Sequence, residues 1–209
     1  MQPLERVHVF GAAGCGSTTL AWALARRLAC QHLDVDDFYW LPTMPPFRRR
    51  QAPSDRLRML SEAAASTPRW VLSGPVAGWG DPLLPHFDLV VFLYVPTKVR
   101  LDRLQRRERA RFGEAVDPGG PMHDQHQAFL RWAAGYDPGL SGGRTLLADA
   151  TWLGYLPCPM MCLIGECGTM EQIDQVLMFW EALAHQPKAS NPSTSDIIAG
   201  VLDSVPYPP

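Results

Sequence analysis

The stretch VHVFGAAGCGSTTLAWALARRL, residues 7–28, decides the fold of this chain. It begins with a short, mainly apolar segment, passes through a glycine-rich turn at 11–16, and continues with leucines at four-residue steps. This order predicts a strand, a tight turn and a helix with one apolar face. The glycines leave room for backbone N–H groups to close around phosphate oxygens, and the N-terminal end of the helix favours the same anion.

The turn follows the phosphate-loop pattern G-x-x-x-x-G-K-[ST] with one change, because Ser17 stands at the lysine position. The dinucleotide-binding pattern G-x-G-x-x-G does not fit, since the glycines fall at relative positions 0, 3 and 5. An ordinary turn whose glycines only permit tight packing is the alternative, but the flanking strand and helix favour a phosphate site. The residues predicted to bind the nucleotide phosphates are Gly11, Ala12, Ala13, Gly14, Cys15, Gly16, Ser17, Thr18 and Thr19.

The whole-chain composition limits the possible functions. A length of 209 residues suits one domain, and a net charge of −2 creates no field that would recruit nucleic acid or an anionic membrane. No apolar stretch approaches the ~20 residues that span a bilayer, and the first ten residues lack the apolar core of a signal peptide. We expect a cytoplasmic protein with a domain at 1–185 and a Pro/Ser-rich tail at 186–209, in which the segment at 197–202 is a candidate for a short docked helix.

Three carboxylates follow the predicted second strand, within the segment HLDVDDFYWLP at 32–42. The ligand crevice of an open α/β sheet lies at the carboxyl ends of its strands. There, Asp36 or Asp37 is placed to hold Mg²⁺ through water or to accept a proton from a substrate hydroxyl. The alternative is an acidic turn before an aromatic packing patch at 38–40.

Two arginine-rich segments are candidates for binding anions. The loop at 41–53 carries three consecutive arginines that either clamp an anionic substrate or form a solvated face. In the helix predicted from Thr97, arginines recur at three- and four-residue steps, which places them along one side: Arg100, Arg103, Arg107 and Arg111. This stripe either faces solvent or neutralises the charge that develops on a transferred phosphoryl group. Arg56 and Arg58, which come earlier in the chain, are expected to face outward.

Further strands and helices follow from hydrophobic periodicity and breaker residues. The third, fourth and fifth strands are predicted at 70–73, 87–95 and 160–164. Three further helices are predicted. One has Ser54 as its N-cap, and the other two begin at His123 and at Met170. Ser73 ends the third strand where no carboxylate is present, and Gly74 after it permits a ligand to approach the backbone. Five strands with helices between them predict an α/β fold with a parallel, doubly wound, three-layer sheet.

The chain resembles the P-loop NTPases of the adenylate-kinase-like and small-molecule-kinase group. More narrowly, it resembles small adenylate-kinase-like ATPases related to the DNA topology modulation proteins. The resemblance covers roughly residues 1–185 and implies a nucleoside-monophosphate-kinase-like P-loop fold with strand order 2-3-1-4-5. The motifs that carry it are GAAGCGSTTL (11–20), DVDDFYWLPTMPPF (34–47), WVLSGPVAGWGDPL (70–83), FDLVVFLYVPTKVRLDRL (87–104), RFG (111–113) and PGGPMHDQHQAFLRWAAGYD (118–137).

The resemblance also implies ATP and Mg²⁺ as cofactors and assigns roles by position. Similar proteins often carry Thr or Ser at the lysine position, Thr18 matches their Mg²⁺-coordinating hydroxyl, and Thr19 matches the residue near the α-phosphate. One departure is Asp149-Ala150, where relatives tend to have His-Glu. The acceptor side would be formed by Asp36, Asp37, Arg50 and Arg56, and a lid at about 100–145 by Arg103, Arg107 and Arg111.

Two functions are compatible with these observations. The first is a phosphotransferase that moves the γ-phosphate of ATP to a small-molecule or nucleotide-like acceptor. The second is a nucleotide-binding switch without transfer activity, since Ser17 supplies only a neutral hydrogen bond where a lysine would supply charge. DNA binding is suggested only by the name of the related family and does not fit a net charge of −2. The sequence leaves the acceptor and the oligomeric state open.

Overall fold

The computed structural model describes residues 3–183, 185 and 191–204. Its centre is a parallel five-stranded sheet with strand order β2-β3-β1-β4-β5, which confirms the predicted α/β fold and the expected order. The strands are β1 (Arg6–Gly11), β2 (Gln31–Asp34), β3 (Trp70–Ser73), β4 (Leu89–Tyr94) and β5 (Met160–Ile164). The helices are α1 (Ser17–Arg27), α2 (Val35–Tyr39), α3 (Pro53–Ala65), α4 (Thr97–Phe112), α5 (His123–Ala134), α6 (Leu146–Leu153), α7 (Thr169–Leu183) and α8 (Thr194–Ser204).

Helices cover both faces of the sheet, and each face has its own core. Successive side chains of a strand point to opposite faces, so Phe10 packs on one side of β1 and Val9 on the other. The first core includes buried side chains of α3, α6 and α8, and the second includes those of α1 and α7. A third, small cluster joins α4 to α5 through Leu104 and Leu130, and Ala13 of the phosphate loop packs against it. Among the described residues, no helix combines the length and apolar character that crossing a bilayer requires.

Three local elements differ from the sequence predictions. The acidic segment after β2 is the short helix α2, which Asp34 caps by accepting the N–H of Asp36 at 3.1 Å. Helix α3 begins at Pro53 with Ala52 as its N-cap, so the prediction that Ser54 caps it was wrong. Proline is well suited to the first position of a helix, because the N–H that it lacks would have no partner there. Helix α6 was not predicted, although its cap Thr145 accepts the N–H of Ala148 at 3.1 Å.

Part of the segment predicted as a tail packs against the domain. Ile197 and Val201 of α8 are buried in the first core, and Asn191 binds the carbonyl oxygen of Cys158 at 2.8 Å and the N–H of Met160 at 3.1 Å. These contacts place α8 beside β5 and α6. The remaining tail residues, 186–190 and 205–209, lie outside the described residues.

Candidate functional site

The phosphate loop ends in an open cradle at the start of α1. Gly16 is the N-cap of α1 with φ 98°, and a Cβ built on it would meet no atom within 4 Å. Gly16 has no side chain to cap the helix, and the first-turn N–H groups at 17–19 have no acceptor within the helix. Thr18 and Thr19 are exposed beside them. The N–H of Ser17 lies against the sulfur of Cys15, whereas those of Thr18 and Thr19 are left for an anion in the open space, as an anion site requires.

The other two glycines of the loop serve packing. A Cβ on Gly11 would lie 2.1 Å from the carbonyl oxygen of Leu93, and one on Gly14 would lie 2.7 Å from that of Arg100. The alternative interpretation from sequence, glycines that permit tight packing, thus describes positions 11 and 14. It does not describe position 16, where the space is open.

Arg100 is a buried support of the loop and does not belong to the exposed arginine stripe. Its side chain is 0% exposed, and it donates to the carbonyl oxygens of Val95 at 2.9 Å and Ala13 at 3.3 Å. Its Nη2 lies 3.0 Å from the carboxylate of Asp137, which neutralises the buried charge. Helical spacing predicted that Arg100 lies on the same side of α4 as Arg103. The first turn of α4 packs under the phosphate loop, however, and this packing buries the Arg100 side chain.

Among the three predicted lid arginines, Arg103 is the one whose head group contacts the phosphate loop. Its Nη1 donates to the carbonyl oxygen of Cys15 at 3.4 Å, two residues before Ser17. Its Nη2 donates to Oε2 of Glu166 at 3.0 Å. A guanidinium therefore lies beside the loop that lacks a lysine.

The other two predicted lid arginines lie further along α4. Arg107 is paired with Glu108 at 2.9 Å. The guanidinium of Arg111 stacks 5.0 Å from the ring centre of Phe47 and lines a cavity.

That cavity has a volume of about 370 Å³ and opens between α2, the 41–47 loop and the end of α4. The residues that line it include Asp36, Asp37, Trp40, Thr43, Phe47 and Arg111. Asp36 accepts the indole N–H of Trp40 at 3.1 Å. Partial burial and the Asp34 carboxylate raise the pKa of Asp36, against the opposing charge of Arg107, and the same two causes raise the pKa of Asp37. The structure thus brings the predicted acidic pair and Arg111 together in one cavity.

The remaining predicted acceptor-side residues are divided between surface and interior. Arg50 is exposed, whereas Arg56 is only 8% exposed, donates to the carbonyl oxygen of Gln51 at 2.8 Å and stacks 4.2 Å from the ring centre of Tyr39. The expectation that Arg56 faces outward was therefore wrong, because aromatic side chains and a backbone carbonyl enclose it.

Ser73 and Gly74 lie at the end of β3 and are not among the residues that line the cavity. Ser73 is fully buried with its hydroxyl 3.0 Å from Nε2 of His32. Gly74 has φ 93°, its carbonyl oxygen lies 2.8 Å from Nε2 of His8, and Val35 packs against its α-carbon. Any role of these two residues toward an acceptor remains a prediction.

Arg144 is the site residue that sequence reasoning missed. Its Nη2 donates to the carbonyl oxygen of Gly11 at 2.7 Å and to Oδ2 of Asp149 at 2.7 Å. Asp149 is 1% exposed and also accepts the hydroxyl of Tyr136 at 2.6 Å. Burial and the Asp149 carboxylate raise the pKa of Tyr136, so its hydroxyl stays protonated as a donor. Asp149, which departs from the family pattern, therefore holds Arg144 against the phosphate loop.

Metal ligands are not preassembled in the part of the chain that the structure describes, where no group of three or more His, Cys, Asp or Glu side chains could hold an ion. The exposed Thr18 at the start of α1 and the cavity-lining Asp36 and Asp37 each carry oxygen donors of the kind that Mg²⁺ accepts.

Comparison with known proteins supports this view of the fold. No family model matches the chain. It is 39% identical over 173 residues to "Uncharacterized protein YqaC" of Bacillus subtilis (strain 168), covering 83% of this chain and 96% of the relative. It is 30% identical over 146 residues to shikimate kinase 2 of Dickeya chrysanthemi, covering 61% and 78%. The solved shikimate kinase from Acinetobacter baumannii in complex with shikimate superimposes with TM-score 0.51 at 17% identity, covering 88% and 96%. The predicted P-loop kinase-like fold is thereby confirmed.

Proposed function

We propose a phosphotransferase activity, on the premise that the chain belongs to the family of the Bacillus subtilis protein YqaC and is a P-loop kinase-like protein. The donor is ATP with Mg²⁺, and the acceptor is a small molecule or a nucleotide-like compound. The narrower kinship with adenylate-kinase-like ATPases of the DNA topology modulation group, and a cytoplasmic location, are parts of the same proposal. So is a lid at about 100–145, within a domain that extends beyond the predicted 1–185 to include α8.

One observation carries the proposal: helix α4 connects the phosphate loop to the acidic cavity. Arg103 contacts the carbonyl oxygen of Cys15, and Arg111 lines the cavity with Asp36. Eight residues of helix separate the two arginines, which corresponds to about 12 Å along the axis. A donor phosphate on the loop and an acceptor in the cavity would both contact this helix.

The nucleotide would be held by the loop and its cation. The first-turn N–H groups at 17–19 bind phosphate oxygens, and Arg103 supplies the positive charge that Ser17 does not. Thr18 would hold Mg²⁺ through its hydroxyl, and the ion would supply charge neutralisation for the transferred group.

The transfer step is assigned to the cavity residues. The acceptor hydroxyl oxygen attacks the γ-phosphorus, and the bond between that phosphorus and the bridging oxygen breaks to release ADP. The hydroxyl proton passes to the carboxylate of Asp36, whose raised pKa makes it a better proton acceptor than an ordinary aspartate. Asp37 orients the acceptor, Arg107 and Arg111 stabilise the transition state, and Arg50, Arg56, Ser73 and Gly74 shape the acceptor side.

The test is isothermal titration of the full chain with MgATP, ADP and GTP, followed by a phosphate-release assay on the same sample. Binding with slow hydrolysis is expected, because water is a poor substitute for a positioned acceptor. A screen of hydroxylated metabolites for ATP-dependent product would then identify the acceptor. Absence of binding at millimolar nucleotide would overturn the proposal.

The alternative function is a nucleotide-binding switch without transfer activity. The observation that favours it is the ion pair of Arg103 with Glu166, which occupies the guanidinium that contacts Cys15, two residues before Ser17. Tight nucleotide binding with no product from any acceptor would support this alternative.

A further inference from the structure

We propose that Glu166 is a positioning residue that competes with nucleotide phosphates for Arg103 and thereby sets the affinity of the phosphate site for triphosphates. The inference rests on the proposed function, because it assumes that phosphates bind at the loop. It adds a residue outside the loop and the lid, and outside the motifs that identified them.

The geometry consists of one guanidinium shared between two acceptors. Nη1 of Arg103 donates to the carbonyl oxygen of Cys15 at 3.4 Å, and Nη2 donates to Oε2 of Glu166 at 3.0 Å. Glu166 lies in the turn between β5 and α7, and Gly165 beside it has φ 92°. The turn thus brings a carboxylate to the edge of the phosphate loop from the far end of the sequence.

The two contacts have different strengths. The contact with Cys15 is long and involves a neutral carbonyl, whereas the contact with Glu166 is shorter and charge-assisted. Glu166 is therefore the stronger of the two partners. It keeps the guanidinium at the loop in the absence of nucleotide.

A phosphate that reaches the loop must take over the same donors. Arg103 and Glu166 are 36% and 54% exposed, so water and salt screen their attraction and the pair opens at little cost. A triphosphate carries more charge than a monophosphate and presents several acceptor oxygens, so it displaces the carboxylate most effectively. The displaced carboxylate then leaves the loop because it repels the bound phosphates.

This exchange, in which phosphate replaces Glu166 as the partner of Arg103, therefore favours highly charged phosphate ligands. An anion with a single charge gains too little from Arg103 to replace Glu166. A ligand with three linked phosphates gains both the guanidinium and the first-turn N–H groups. Glu166 in this way raises the discrimination between triphosphates and singly charged anions at a loop that has no lysine.

The experiment measures the affinity of MgATP and of tripolyphosphate by titration calorimetry for wild type, Glu166→Gln, Arg103→Met and the double variant. Glu166→Gln removes the competitor while keeping its shape, so both ligands should bind about two- to fivefold more tightly at low salt. The gain should shrink at high salt and disappear in the Arg103→Met background. Glu171→Gln is the matched control, since Glu171 is an exposed carboxylate of α7 that accepts a hydrogen bond from the Gln175 side chain at 3.4 Å.

Each outcome decides between the two proposals. A gain in the wild-type background that is absent without Arg103 supports the exchange. Unchanged or weaker binding in Glu166→Gln, or a gain that persists without Arg103, overturns it while leaving the proposed function intact. Absence of binding of both ligands to wild type and Glu166→Gln alike overturns the proposed function and this inference together.

Discussion

Arg144 donates from Nη2 to the carbonyl oxygen of Gly11 at 2.7 Å, across 133 residues of sequence. The contact ties the segment before α6 to the first residue of the phosphate loop. Together with Arg100, which is fully buried and bound to Ala13, the partly buried Arg144 gives the loop two guanidinium supports. Each of these has its own carboxylate, Asp149 for Arg144 and Asp137 for Arg100. The loop is therefore preorganised by charge pairs behind it, and its outer face remains free for an anion.

Replacing Arg144 by methionine should destabilise the protein by about 3–5 kcal/mol, because it leaves the buried Asp149 carboxylate without its cation. The double variant Arg144→Met/Asp149→Asn should recover part of that loss, since no buried charge is then unpaired. Urea denaturation at pH 7 measures both free energies of unfolding. Arg58→Met, which removes an exposed ion pair with Glu62, is the control and should change little. Equal effects of Arg144→Met and Arg58→Met would contradict the prediction.

Gly16→Val should abolish nucleotide binding, because its side chain would fill the open cradle where phosphate binds. The positive φ of 98° adds backbone strain of about 1–2 kcal/mol. Gly139→Val is the matched control: Gly139 has φ 79° and equally open surroundings, but lies outside the loop. Circular dichroism checks that both variants fold, and titration with MgATP measures binding. Unchanged ATP affinity in folded Gly16→Val would refute the phosphate cradle.

Ser17→Lys should raise the affinity for MgATP about fivefold, since it replaces a neutral hydrogen bond by a charge-assisted one. The gain should be larger in the Arg103→Met background, where the guanidinium that contacts Cys15 is missing. Ser17→Met has a similar length without charge and should show no gain. Titration calorimetry at fixed ionic strength measures wild type, the three single variants and the Ser17→Lys/Arg103→Met double variant. Binding by Ser17→Lys no tighter than by wild type would argue against a vacant lysine position.

His8 should make the protein less stable as the pH falls below neutrality. Burial, opposed by a hydrogen bond to Gly74, lowers the pKa of His8 from 6.5 to about 4. Between these values the unfolded chain binds a proton that the folded protein does not. The free energy of unfolding therefore has its full contribution from His8 above pH 6.5, and it decreases toward pH 4 by up to about 3 kcal/mol.

Urea denaturation between pH 7 and pH 4.5 measures this dependence. His8→Phe keeps an aromatic ring between Phe10 and Phe87 but removes the titrating group, so its stability should vary less with pH. His86→Gln removes an exposed histidine and should retain the wild-type slope. A His8→Phe curve as steep as that of wild type would exclude His8 as the cause.

Local patterns account for the parts of the fold that the sequence predicted well. Hydrophobic periodicity and turn residues act over a few positions, so strands at 70–73 and 160–164 appear with the predicted bounds. The glycine spacing located the phosphate loop, and the acidic residues after β2 located one wall of the cavity. The strand order came from the resemblance to P-loop kinases, and the sheet confirms it.

The arginines show what local patterns leave undecided. Periodicity assigns Arg100, Arg103 and Arg111 to one side of α4, but burial depends on what packs there. Arg100 is enclosed because Asp137 and the loop carbonyl of Ala13 surround it, and Arg111 is available at the cavity because Phe47 stacks against it. None of these partners is near in sequence.

By itself, then, the sequence determined the α/β architecture, the position of the phosphate loop and the absence of a lysine in it. Only the tertiary structure decided which guanidinium groups support the loop and which reach it. The physical reason is that a buried charge is stable only beside its partner. Asp137 and Glu166 lie 37 and 63 residues from Arg100 and Arg103, and folding brings them together. Asp149 is only five residues from Arg144, but their pair meets the loop at Gly11, which is 133 residues from Arg144.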